Sequence, residues 1–579
     1  MKKIFLFILI CTLLAGCKKS FLDTVPLTQK TNNDFYKTPA DMEQALTAAY
    51  VTLVSAPEGS ILNSYPFVIS ELLSDDRFGG GGDNDLDPRA ISDFKVTGPD
   101  MYAGAWVRYY RGIFRTNMIL ENINKPVWTD VQKDKVEGQA RFLRGMFYFD
   151  MARMFGEVPL ILETKPQNLP KAPAAEIYAQ IATDLKASIE AFADVPYGPA
   201  VYSEMGRANR WVAEALMARV FLFYTGYYEV PDLPLVDGTA ITKDQVVTWL
   251  TECKDRSGYQ LMPEFRNLWP YSVANAANSG KPYKFTVDNN LNWYAETGTN
   301  AETMFAVKFS TFADWGTSIY YSNQMNLFFG WRAYSYKGAM GEGWGMGTVN
   351  KKLWDEWPDA DLRKRGSIQK VDDPAEGIDA SYGLGVDLHD KQMDETGYWQ
   401  KKYRPINLWA PDAAGVPEWH NYSVDFYGAT KNMQLDNMQD IVLIRFADVL
   451  LMHSELTGTA DGMNLVRGRV GLPPVGYSLD ALKAERRFEL AFEGSRYYDL
   501  LRWAGKSNLS QVEAILESEN GEATINNGVP GTKQGIDFRP ETGGFLQIPN
   551  REIQLSEGIL VQNPGWETGT APVYTFTSR

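Results

Sequence analysis

Cysteine and histidine are almost missing from this chain, with three of each in 579 residues. Cys11 lies inside an apolar leader and Cys17 at its end, which leaves Cys253 on its own. No internal disulfide is then expected, and stability has to come from packing. His389, His420 and His453 are scattered and no His-Glu-x-x-His occurs. A zinc site or a Ser-His-Asp triad would have to be gathered from distant pieces. After the leader there is no run of about eighteen apolar residues, which argues against a transmembrane helix. Positive charge is also in deficit. The formal net charge of −15 makes a field that repels nucleic acid and anionic lipid.

Two further chemistries fail on spacing. Gly505-Lys506-Ser507 has Leu500 where a phosphate-binding loop needs glycine. The stretch from Gly79 through Gly82 to Asp83-Asn84-Asp85 and Asp87 starts like a calcium loop. Its sixth position is Pro88 and its twelfth Phe94, so it is no EF-hand. A looser structural calcium site and a flexible binding loop both remain open there; no other cofactor is expected.

What is present begins with an address. Lys2 and Lys3 precede an apolar core of residues 4–14, and Ala15-Gly16 offer the small side chains that a signal peptidase tolerates. Cys17 directly after them reads as a lipobox cysteine, acylated and made the new N-terminus. Residues 1–16 are thus a lipoprotein signal, too short to span a bilayer. Acyl chains hold a protein on a membrane at about 0.8 kcal/mol per buried CH₂.

Helical periodicity dominates both ends of the chain. Residues 131–155 place Val136, Ala140, Leu143, Phe147, Met151 and Met154 at three- and four-residue steps. Comparable patterns predict helices over 41–53, 105–123, 174–193, 210–228, 441–456 and 479–503. Short links favour helix pairs stacked on one another. From about 229 to 435 the rhythm gives way to Gly, Asn, Pro and aromatic residues, with β-like runs such as 303–309. The expected class is mostly α: a tetratricopeptide-like helical-pair scaffold with a long irregular insertion containing short β elements. The expected regions are 17–228, 229–435 and 436–579.

Several blocks carry a family resemblance. Glu485-Arg486-Arg487-Phe488-Glu489-Leu490-Ala491-Phe492-Glu493-Gly494, with Arg496-Tyr497-Tyr498-Asp499-Leu500 and Arg502-Trp503, resembles the C-terminal signature of the SusD/RagB family of nutrient-capturing lipoproteins. Arg141-Phe142-Leu143-Arg144 through Phe155-Gly156-Glu157-Val158-Pro159 is similar to its N-terminal helical signature, and Phe21-Leu22-Asp23 and Gln562-Asn563-Pro564-Gly565-Trp566 to its two ends. The resemblance implies a cell-surface, outer-membrane glycan-binding lipoprotein that is not an enzyme and delivers oligosaccharide to a partner TonB-dependent SusC-like β-barrel transporter. A peptide-binding lid of the same family is the alternative. Lys18 and Lys19 stand where acidic residues often follow the cysteine of surface-bound relatives, so exposure to the exterior rests on the family.

Glu489 and Glu493, four apart on one expected helical face, invite a glycosidase reading. Alternating acids and bases in an apolar helix more readily form ion pairs, so no catalytic residue is assigned. Ligand binding is expected from aromatic faces that stack on sugar C–H groups while amides and charges bind the hydroxyl rim. Trp293, Trp315, Tyr320, Tyr321, Trp331 and Trp344 lie in the dense stretch 292–357. Glycines beside Trp315, Trp331 and Trp344 predict loop tips. The resemblance adds Asp76, Arg77, Asp83 and Asn84 from an early loop.

Overall fold

The computed structural model describes residues 35–54, 62–198, 206–294, 300–316, 319–332, 338–378, 392–411, 415–567, 569 and 571–575. The leader and Cys17 lie outside the described residues. Helices α1 (Pro39–Tyr50), α2 (Ala103–Asn122), α3 (Asp130–Phe155), α4 (Ala174–Ala191), α5 (Arg210–Tyr228) and α6 (Lys243–Arg256) follow one another through the first half. Their starts are written locally. Thr38 and Thr129 close capping boxes with Asp41 and Gln132, and the Asn209 and Thr242 side chains accept from Val212 N and Gln245 N. Each consecutive pair from α2 to α6 packs together, building the stacked helical scaffold expected.

The face predicted on α3 is buried, but so are Phe142, Tyr148 and Phe149. This helix is enclosed nearly all round from Gly138 onward, because α2, α4 and α1 cover different sides of it. Deleting a side chain there, as in Leu143→Ala, would cost about 2–5 kcal/mol.

The fold differs from the expected helices in three places. Helix α6 lies inside the stretch read as irregular, and it packs on α5 and on a later helix, α8 (Phe446–Thr457). The pattern over 441–456 splits at Arg445. Ile441–Arg445 is a strand, β4, antiparallel to β1 (Thr303–Val307). The apolar β-branched run Ile441-Val442-Leu443-Ile444 suits either state, and pairing with β1 decides it. The pattern over 479–503 also breaks, into α10 (Leu479–Leu490) and α11 (Arg496–Ala504). Phe492 and Gly494 have φ of 67° and 75°, which ends the first helix. Between β1 and β4 lie the short α7 (Gln324–Phe329) and a hairpin of β2 (Asn407–Pro411) and β3 (Pro417–Asn421); α9 (Asp461–Arg469) follows α8.

One apolar core runs through both halves, joining Phe142 and Leu216 of the scaffold to Phe305, Trp269 and Trp293 of the insertion. The insertion is therefore seated on the scaffold by shared packing. No helix among the described residues is long and apolar enough to cross a membrane.

Candidate functional site

The early loop and the mid-chain aromatic stretch, distant in sequence, meet in the fold. Residues 77–81 run alongside 345–349: Phe78 N donates to Thr348 O (2.9 Å), Gly347 N to Gly79 O (2.9 Å) and Gly81 N to Gly345 O (2.7 Å). The four glycines are buried and fixed. Gly80 has φ of 64°, and a Cβ there would come 2.5 Å from Gly345 O. The Arg89 guanidinium donates to the carbonyls of Gly80, Gly82 and Asp83. The turn is thus braced as a platform, tied by its backbone to the segment it faces.

Past the platform the loop reaches the surface. Asp83 is half-buried and Asn84 exposed. Asp85 accepts from Gly82 N at 2.6 Å and lies 3.6 Å from Arg332, whose guanidinium also donates to Trp344 O at 3.4 Å. Trp344 is half-buried, its ring 5.3 Å from Phe328 of α7. Asp85, Arg332 and Trp344 thus meet, with Asp83 and Asn84 next to Asp85 in the loop. Asp87 is taken up by Asn63 and Thr97, and among the described residues no group of three or more His, Cys, Asp or Glu could hold a metal ion.

Just before α7 comes a more open loop. Ser310 N donates to Tyr321 O (2.8 Å) and Gly316 N to Asp314 Oδ1 (2.6 Å), folding residues 310–316 into a turn. On it Phe312 is 81% and Trp315 58% exposed. Tyr321 is half-buried beside it; the Tyr320 side chain lies outside the described residues. Leaving rings of this size in water forgoes about 1.5–3 kcal/mol apiece, and adjacent exposed aromatics mark contact surfaces.

Four of the expected binding residues are corrected by burial. Trp331 is fully buried, packed with Val371 and Trp399. Its neighbouring glycine does not mark a loop tip. Gly330 and Gly343 lie backbone to backbone, and a Cβ on Gly343 would come 2.3 Å from Gly330 Cα. Trp293 is 8% exposed, against Tyr422 and Phe426. Arg77 is held by Glu71 at 2.6 Å and by Gly347 O at 2.7 Å, between the rings of Phe329 and Phe492. Asp76 accepts from Arg487 at 2.8 Å. Burial, reinforced by the neighbouring Asp75 charge, pushes its carboxyl up despite that guanidinium. These side chains hold the platform to α10 and the turn before α11 and have no surface to offer a ligand. Sequence reasoning missed Phe312 and Arg332, and also Trp409 and Trp419 on the β2–β3 hairpin. A single exposed Phe carries no pattern, although the two tryptophans stand at mirrored positions, two residues before Pro411 and two after Pro417.

The acidic pair at 489 and 493 sits elsewhere. Glu489 is fully buried and accepts from Arg363, Arg445 and Arg469; Glu493 accepts from Arg445 and from Lys402 at 2.6 Å. Burial would raise the Glu489 carboxyl, but Arg469, Arg445 and Arg363 outweigh it and hold it well below the usual range. A general acid needs the reverse shift and access to substrate. Arg496 reaches back to Asp75 (2.7 Å), while Asp499 and Arg502 join Arg486 and Glu455. The charges expected to form ion pairs do so between elements, and clamp them together.

Two family models match the chain. One, described as starch-binding and associating with the outer membrane, matches residues 20–222; the other, the SusD family, matches 301–566. The chain is 22% identical to SusD-like protein P2 of Formosa agariphila over 97% of its own length and 99% of that protein's. It is 23% identical to a SusD-like protein of Bacteroides ovatus, over 97% and 96%. Solved structures with the same fold include a laminarin binding SusD-like protein (TM-score 0.67, 24% identity, covering 92% of this chain and all of that one). Surface glycan-binding protein A from Bacteroides thetaiotaomicron in complex with laminarihexaose is another (TM-score 0.67, 18% identity, 91% and 99%). Matched in order over 20–222 and 301–566 by two models of SusD-like proteins, the chain belongs to the SusD/RagB family.

Proposed function

We propose that the protein is a lipid-anchored receptor at the outer membrane, facing the cell exterior, that captures an oligosaccharide and passes it to a TonB-dependent SusC-like barrel. No bond of the ligand is broken. The observation that carries the reading is the exposed pair Phe312 and Trp315 on a braced loop. Tyr321 lies beside it, and a short helix leads on to Trp344, Arg332, Asp83 and Asn84. Flat apolar faces next to amide and charged groups suit the two sides of a pyranose, its C–H face and its hydroxyl rim. Acylation of Cys17 would keep the receptor beside its transporter.

Calorimetric titration with neutral oligosaccharides tests the reading, beginning with laminarihexaose because a structural neighbour holds it. Saturable glycan binding weakened by Trp315→Ala supports it. Binding of extended peptides with no glycan binding would overturn it in favour of a peptide lid. Protease accessibility on intact cells tests the side of the membrane, and co-purification with a TonB-dependent barrel tests the partner.

A further inference from the structure

The β2–β3 hairpin carries a second aromatic patch, built from a part of the chain that the proposed surface does not use. Trp409 and Trp419 face each other across the strands, ring centres 5.6 Å apart and planes at 65°. Strand alternation puts them on one face, and Leu408–His420 and Ala410–Glu418 on the other. Leu408 and His420 are buried, so the tryptophans occupy the outward face, both half-buried. Neither indole N–H has a partner among the described residues.

A cation has been fixed over this patch. Lys281 Nζ lies 3.6 Å from the centre of the Trp409 ring. It is placed there by the backbone: Gly280 N donates to Trp409 O (2.9 Å) and Trp409 N to Ser279 Oγ (3.0 Å). Residue 280 can come this close because it is glycine; a Cβ would stand 3.1 Å from Trp409 Cδ1. Nearby Lys284 and Lys431 are matched to Asp288 and Glu418. Lys281 is exposed and has no carboxylate partner among the described residues. In a chain with a net charge of −15, a positioned and unmatched ammonium beside two free indole donors is a distinct chemical feature.

We propose that Lys281, Trp409 and Trp419 form a contact for an acidic sugar, one bearing a carboxylate or sulfate. The oxyanion takes the ammonium and an indole N–H, and the ring's C–H face lies on the indole surface left open to solvent. An acidic peptide would satisfy the cation but bring no flat ring to the indole surface. This inference rests on the reading that the chain binds glycans, and it adds a charge preference that the Trp315 loop does not supply.

The test is titration of the full chain with an oligogalacturonate hexamer, a sulfated carrageenan hexamer, laminarihexaose and hexaglutamate. At least one anionic hexamer binds, more weakly as salt is raised. Its affinity falls about tenfold in Lys281→Gln and in Trp409→Ala, with thermal unfolding unchanged in Lys281→Gln. The carboxylate and sulfate arms identify the anion. Failure of both anionic hexamers to bind, equal binding in Lys281→Gln, or equally tight binding of hexaglutamate overturns the proposal. Loss of anionic and neutral binding together in Trp315→Ala, with none in Lys281→Gln, moves the anion to the first surface and also overturns it. If laminarihexaose fails while Lys281-dependent binding of an anionic hexamer persists, the neutral-glycan probe was wrong and this contact stands.

Discussion

The junction around Glu489 and the loop around Trp315 use strong chemistry in opposite ways. At the junction, Glu302, Glu489 and Glu493 surround Arg445, while Arg469, Arg363 and Lys402 complete the shell, every side chain at most 6% exposed. Charge there joins β4, α9, α10 and the insertion, and every group points at another part of the same molecule. At the loop, two aromatic rings are held out in water by a few backbone hydrogen bonds. The most recognisable stretch of sequence therefore binds the protein to itself, and a stretch with little pattern faces outward. Motif density marks where the chain needs many partners at once, which is a requirement of folding as often as of recognition.

The largest effect expected is from breaking the junction. Arg445→Ala leaves three buried carboxylates short of a partner, and removing one side of a buried ion pair costs about 3–5 kcal/mol. Denaturant unfolding measures it; a loss below about 1 kcal/mol would put the stability of this region in its apolar contacts instead. Acid probes the same groups. Glu489, Asp448 and Asp75 would be raised by burial, yet their arginines hold all three below the ordinary range. Their contribution is present above about pH 4, where such carboxyls ionise in the unfolded chain, and is lost as pH falls through the depressed folded values. Unfolding free energy measured from pH 7 to pH 3 should fall less steeply on the acid side in Arg445→Ala than in the parent chain; parallel profiles would contradict the pairing.

Two tryptophans make the contrast within one side-chain type. Trp331→Ala empties a packed site and is expected to cost about 3–5 kcal/mol of stability. Trp315→Ala should leave stability within about 0.5 kcal/mol and weaken glycan binding about tenfold or more, as loss of a contact hot spot does. Thermal unfolding and calorimetry on the two variants separate them. Unchanged affinity in Trp315→Ala would remove the exposed loop from the site.

The sequence distinguishes these two residues poorly, because both are Trp beside Gly. At Trp315 the glycine closes an exposed turn on Asp314. At Trp331 it lets the backbones of Gly330 and Gly343 touch, and only the fold brings residue 343 there. The scaffold was far more legible, since caps and helical spacing are local: α3 and α5 begin and end within one residue of the expected positions. The strand 441–445 was not, because its pairing partner lies more than a hundred residues away. Asp76 and Arg77 lie in the loop that meets the aromatic stretch, but their side chains turn inward to Arg487 and Glu71. Choosing between inward and outward neighbours in an irregular loop depends on contacts that no periodicity records.

The smallest effect is the one that decides how far the outward region extends. Asn84 is exposed, and a single neutral hydrogen bond is worth about 0.5–1.5 kcal/mol, so Asn84→Ala should weaken binding a few-fold and leave unfolding unchanged. Its value lies in combination with Trp315→Ala. If one ligand spans both the platform loop and the aromatic loop, removing one contact alters how the ligand settles on the other. The double variant then departs from the sum of the singles by about 0.5 kcal/mol or more. Strict additivity would mean that the two loops act on separate parts of the ligand, and no effect of Asn84→Ala at all would confine recognition to the aromatic loop.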